Sequence, residues 1–189
     1  LHDALPISLF WQHGYEATSL SDLVEATGAK APTLYAEFTN KEGLFRAVLD
    51  RYISRFAAKH EAQLFCEEKT VEQALQDYFC AVATCFTSKD TPAGCFMINT
   101  SATLAASSKE IANTVKSRHA MQEETLSTFL AQRQQRGEIP AHCRPQELAQ
   151  YLSCILQGMS ISAREGATLE KLQGITQTTL RLWPELLKL

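Results

Sequence analysis

The sequence has no apolar run of the ~18–20 residues that a bilayer-spanning helix needs, and no secretory signal pattern is visible. No membrane partner is expected. Its six cysteines come without CxxC pairs or regular spacing. That excludes a disulfide framework and favours reduced thiols in a cytoplasmic protein. GxSxG, P-loop and GxGxxG motifs are missing, so no catalytic constellation stands out and the chain does not read as an enzyme. Metal binding gets equally little support. His60, His119 and His142 are scattered, and His142-Cys143 are too close along the chain to aim at one ion. No cofactor is called for. Basic excess is lacking too: 18 Lys+Arg stand against 21 Asp+Glu, with a net charge of −3. Taken alone, that balance argues against coating nucleic acid over the whole surface, though a small basic patch remains compatible.

What is present is apolar residues in helical register. They make up 45% of 189 residues, enough to bury a sizeable core. Strand-like alternation is scarce. Ser19 reads as an N-cap with Asp22 in a box-like position, opening a helix Leu20–Thr27 that ends at Gly28. A short helix follows over Ala31–Phe38. Asn40 caps a long one expected from Lys41 to Phe65. Further helices are expected at Val71–Ser88, Cys95–Ala106, Lys109–Arg136 (closed by Gly137), Gln146–Arg164 and Leu169–Leu182. Pro145 suits a first helical position. The fold class is therefore all-α, and no linker separates two independent domains.

The first eight residues fit poorly. LHDALPI resembles the translation of a sequencing adapter, no Met initiates it, and Pro6 falls where a helix should already run. The expectation is a natural N-terminus that is missing or altered. The other reading puts Pro6 at an early helical position.

Two short helices joined by a turn bearing Gly28 form a helix-turn-helix arrangement, whose second helix suits the DNA major groove. Thr18, Ser19, Lys30, Thr33, Tyr35 and Lys41 supply the hydroxyl, aromatic and cationic groups such a contact uses. A plain helical hairpin would show the same spacing. Resemblance adds more. The runs GYEATSLSDL (14–23), ATG (26–28), TLYAEF (33–38) and NKEGLF (40–45) resemble the N-terminal domain of the TetR/AcrR family of bacterial transcriptional regulators. The resemblance covers about residues 9–52. It implies a nine-helix, all-α homodimer, with residues 1–52 as a helix-turn-helix DNA-binding domain (helix 1 truncated or altered). Residues 53–189 become an effector-binding and dimerisation domain. It implies a repressor that leaves a palindromic double-stranded operator when a small effector binds. Carried over by position, Thr18, Ser19 and Lys41 would meet phosphate. Lys30, Ala31, Pro32 and Thr33 would face the groove, and Tyr35 would reach a phosphate or a base.

One departure concerns charge. Residues 1–52 hold Lys30, Lys41, Arg46 and Arg51 against Asp3, Glu16, Asp22, Glu25, Glu37, Glu42 and Asp50. The whole deficit of −3 thus sits where DNA should bind. Family members usually carry Arg/Lys in and before helix 1, and weak DNA binding by the chain as it stands is the expectation.

The rest of the chain speaks less clearly. An effector pocket is expected from Phe79, Phe86, Phe96, Met97, Met121, Phe129 and Met159, with Asn99, Thr100, Gln122 or Tyr151 as polar handles. Core packing accounts for the same apolar residues. Cys95 follows the break at Thr91–Gly94, and a thiolate at a helix N-terminus would make a redox or electrophile sensor. A small buried residue is the plainer alternative. Leu152, Ile155, Leu156 and Met159, with Leu172, Ile175 and Trp183, form stripes resembling a helix pair that joins a two-fold mate.

Overall fold

The computed structural model describes residues 4–103 and 109–188. Helix α1 spans Ala4–Ala17 and kinks at Gly14, whose φ of 81° closes the run that the sequence ends there. Pro6 sits in its first turn, where a missing N–H costs nothing. Ile7 is buried, so this segment packs as helix. Helices α2 (Leu20–Thr27) and α3 (Ala31–Phe38) have the expected bounds. Helix α4 (Lys41–Tyr52) does not run straight on to Phe65. It passes through a π-helical turn, Ile53–Ala57, with the Ala58 N–H bonded to the Ile53 carbonyl, and a last turn Ala58–Glu61.

Thr70 and Gln73 form a capping box at the start of α5 (Val71–Phe86). Then come α6 (Phe96–Thr103), α7 (Lys109–Gln135), α8 (Pro145–Arg164) and α9 (Leu169–Leu186). Residues 104–106, expected as the end of the sixth helix, lie outside the described residues. Helix α9 runs four residues past its expected end, and Pro184 is accommodated in its last turn. The described chain is thus all-α, with nine helices once the turns following α4 are counted with it.

Aromatic packing joins the two halves. Trp11 of α1, Phe45 and Tyr52 of α4 and Phe96 of α6 lie with ring centroids 5.1–6.0 Å apart. Edge-to-face geometry dominates, which adds to plain area burial. Phe10 and Tyr15 extend the cluster along α1, both packing on Phe45. Helices α1 and α4 are therefore joined to α6 through these rings, of which Phe10, Trp11, Phe45, Tyr52 and Phe96 are buried.

Candidate nucleic-acid interface

The site is built from helix ends. Ser19 Oγ accepts from Asp22 N at 3.1 Å, and Asp22 Oδ2 accepts from Ser19 N at 2.7 Å. That pair holds the Asp22 carboxyl below its ordinary range. At the other end of α2, Gly28 adopts φ 66° and donates to the Val24 carbonyl. Only a residue without Cβ takes this left-handed cap cheaply. Thr27 donates to the Leu23 carbonyl at 2.7 Å and accepts from Ala29 N at 3.2 Å, which ties down the turn.

Helix α3 then starts on the Lys30 carbonyl, which accepts from Leu34 N. Leu34 is buried toward α2 and α4, while Lys30, Pro32, Thr33, Ala36 and Glu37 are exposed. The α3–α4 turn is tight. Thr39 takes a positive φ of 66°, Asn40 N donates to the Phe38 carbonyl at 2.7 Å, and Asn40 Oδ1 caps Gly43 N at 2.8 Å. Lys41 lies on the Tyr15 ring, 4.5 Å from its centroid, with Nζ 3.4 Å from the Glu16 carbonyl. Partial burial pulls its pKa down, against the pull of Glu16 and Asp22. Arg46 is engaged elsewhere, with Glu42 at 2.6 Å and Glu110 at 3.3 Å.

Ser19, Lys30, Thr33 and Lys41 thus lie at the starts of three helices. The side chain of Tyr35 lies outside the described residues. Thr18 corrects its expectation. It is 1% exposed, and its hydroxyl donates to the Gly14 carbonyl at 2.8 Å, so it braces the α1 kink instead of facing phosphate. Tyr15, Thr39 and Gly43 were missed. A Cβ on Gly43 would sit 2.0 Å from the Phe38 carbonyl oxygen, so the α3–α4 approach demands glycine.

Three other expectations change. Phe79, Phe86, Met97, Phe129 and Met159 are core residues, buried by neighbouring helices, and Phe96 belongs to the aromatic contact above. Met121 lies on the outer face of α7 and is 53% exposed. Of the expected pocket residues, Asn99 alone reaches the wall of a described cavity, one of about 470 Å³. Cys95 is buried, with Sγ 3.4 Å from Tyr52 Oη, and burial pushes its thiol pKa up despite the hydrogen bonds at the start of α6. Leu152, Leu156, Met159, Leu172 and Trp183 are buried inside the single chain, at 0–1% exposure. Their stripes face the chain's own core, and only Ile155 and Ile175 remain half-exposed. Among the described residues, no group of three or more His, Cys, Asp and Glu is placed to hold a metal ion.

Residues 7–48 match the family described as bacterial regulatory proteins, tetR family. Residues 71–178 match the tetracyclin repressor-like C-terminal domain. The chain belongs to the TetR family. Its members are DNA-binding transcriptional regulators and not enzymes. It is 79% identical to the transcriptional repressor ComR of Escherichia coli over 182 residues, covering 96% of this chain and 87% of ComR. With the E. coli repressor BdcR it shares 29% identity, over 87% of this chain and 78% of BdcR. A cysteine-substituted form of the regulator CifR, solved on a 26-bp double-strand operator DNA, superposes with a TM-score of 0.91 at 26% identity. That match covers 97% of this chain and 95% of CifR. No helix of the described residues is long and apolar enough to cross a membrane.

Proposed function

We propose that the chain is a homodimeric repressor that holds a palindromic double-stranded operator and releases it when a small effector binds. Residues 1–52 serve DNA and residues 53–189 serve effector and partner, in the bacterial cytoplasm where the operator lies. The observation that carries this reading is the exposed first turn of α3 flanked by the capped starts of α2 and α4. Thr33 and Lys30 meet the groove, Tyr35 a phosphate or base, and Ser19 and Lys41 phosphates on either side. The relatives' printed names as repressors, and operator DNA bound to CifR, support it.

The two-fold mate is best received by the outward stripes of α8 and α9. On α8 these are Cys154, Ile155, Gly158 and Ile161; on α9 they are Gly174, Ile175, Thr178 and Leu182. Ile161 and Leu182 are 50% and 46% exposed, and nothing crowds Gly158 or Gly174, so helices can approach closely. Such a dimer sets two recognition helices about 34–36 Å apart, one turn of DNA. Effector binding favours a conformer with another separation. A sensor working through Cys95 is the second reading. Burial and the raised thiol pKa oppose it, and a Cys95→Ser variant that responds normally to oxidant would end it.

An operator selected from random DNA tests the main reading. Thr33→Ala and Tyr35→Ala should each weaken it about tenfold while sedimentation still shows a dimer. Unchanged affinity in both removes the assignment of α3 as the reading helix.

A further inference from the structure

Resting on the repressor reading above, we propose that the effector is a small organic anion with an apolar body. Its site is the cavity of about 770 Å³ between the turns that follow α4, the C-terminal half of α5, and the α8–α9 junction. That volume is of the size that takes a small ligand.

Charge on the cavity wall has one sign. Arg55, Lys59 and His60 line it, and among the described residues no Asp or Glu does. Neither Arg55 nor Lys59 has an acidic partner among the described residues; Arg55 has only the Phe56 ring, 5.6 Å away. His60 is half-buried, and burial with the adjacent Lys59 pulls its pKa down. Opposite them, the Thr84 and Thr87 hydroxyls donate to the Cys80 and Ala83 carbonyls of α5, while Ser88 and Thr168, which accept from Asp90 N and Lys171 N, keep their hydroxyl protons unspent among the described residues. Thr91 Oγ1 is buried on this wall with no hydrogen-bond partner among the described residues. A buried hydroxyl left unpaired is costly unless something arrives to pair with it. The first turn of α9 brings the positive end of a helix dipole and the last turns of α5 and α8 bring negative ends, so the attraction for an anion comes from Arg55 and Lys59. Phe56, Ala163 and Leu169 supply the apolar part of the wall. A carboxylate or phosphate head thus meets the Arg55 and Lys59 cations and the hydroxyls of Ser88, Thr91 and Thr168, and its apolar body lies against Phe56 and Leu169.

The site can reach the DNA. Arg55, Lys59 and His60 lie on or just after the π turn, on the same continuous backbone as Lys41. Single π turns inside α-helices occur frequently at functional sites. Drawing Arg55 and Lys59 toward α5 and α9 therefore shifts the far end of the helix whose near end holds the Asn40 cap and Lys41.

The test uses the full-length dimer with octanoate and phenyl phosphate as probes and 1-octanol as the uncharged control. Calorimetric titration should show both anions binding and 1-octanol binding at least roughly tenfold more weakly. The Arg55→Gln/Lys59→Gln variant should lose at least about tenfold in affinity for the anions. Thr91→Val, which only removes an unpaired hydroxyl, should melt no lower than the parent and bind the anions several-fold more weakly. In a mobility-shift assay the anions should release the operator from the parent, and from the double variant only at correspondingly higher concentration. The proposal is overturned if neither anion binds, if 1-octanol binds equally, if both variants bind as the parent does, or if bound anion leaves operator affinity unchanged. Failure of the ligand-free parent to retain any operator overturns the repressor reading instead, and the titration still reports on the cavity.

Discussion

At the residue scale the α3–α4 turn carries the sharpest constraints. Thr39 is β-branched yet held at φ 66°, and Gly43 touches the backbone of Phe38 so closely that a methyl group cannot enter. Left-handed conformation costs a non-glycine residue about 1–2 kcal/mol, least for Asn. Thr39→Asn should therefore raise stability by roughly 0.5–1 kcal/mol, read as a higher denaturant midpoint. Gly43→Ala should act oppositely. Its methyl would overlap the Phe38 carbonyl, which the Asn40 N–H holds in the turn, and overpacking of this kind costs about 3 kcal/mol. Thermal melting checks both. An unaltered melt for Gly43→Ala would mean that α3 and α4 do not approach as they do here.

Caps explain which elements were legible. Ser19, Gly28 and Asn40 each act within about four residues, so local sequence predicts α2, α3 and the start of α4 to the residue. The π turn at Ile53–Ala57 depends on how α4 packs against later helices, and no local residue announces it. Burial phase was illegible for a different reason. Helix α8 carries apolar residues on two sides, Leu152, Leu156 and Met159 inward and Ile155 and Ile161 outward, and hydrophobicity alone does not say which side its own chain covers. The same holds for Phe96, which reads as a pocket wall and proves to be an aromatic contact. Arg133 is the element-scale feature that pattern conceals. Near the end of α7 it is 4% exposed, pairs with both oxygens of Glu138 at 3.0 Å and donates to the Cys66 carbonyl at 2.8 Å. It thereby fastens α7 to the connection between α4 and α5. Arg133→Ala leaves that carbonyl and carboxylate without their partner. Glu138 is exposed and water can solvate its carboxylate, so the cost is mainly that of the orphaned Cys66 carbonyl, about 1–3 kcal/mol, and urea unfolding should shift by that much. A shift below 1 kcal/mol would place the pair among ordinary surface ion pairs.

For the whole molecule, the charge balance and the partner face belong to one argument. The deficit of −3 lies in residues 1–52, so each protomer brings few cations to the operator. Lys30 and Lys41 are the ones at the helix ends, since Arg46 is engaged with Glu42 and Glu110. Affinity then depends on two protomers adding their contacts. Charging the outward stripes tests this. Ile161→Asp with Leu182→Asp sets acids against acids across a two-fold axis, where desolvation and like charge both oppose association. The variant should sediment as a monomer and keep its helical content, because both side chains are solvent-exposed in the single chain. Each phosphate contact contributes about 0.9 to the slope of log affinity against log salt, so a monomer on one half-site should show about half the parent's slope. A monomeric variant that kept the full slope would show that one chain makes all the phosphate contacts, and that the two-fold pair is not what reads the operator.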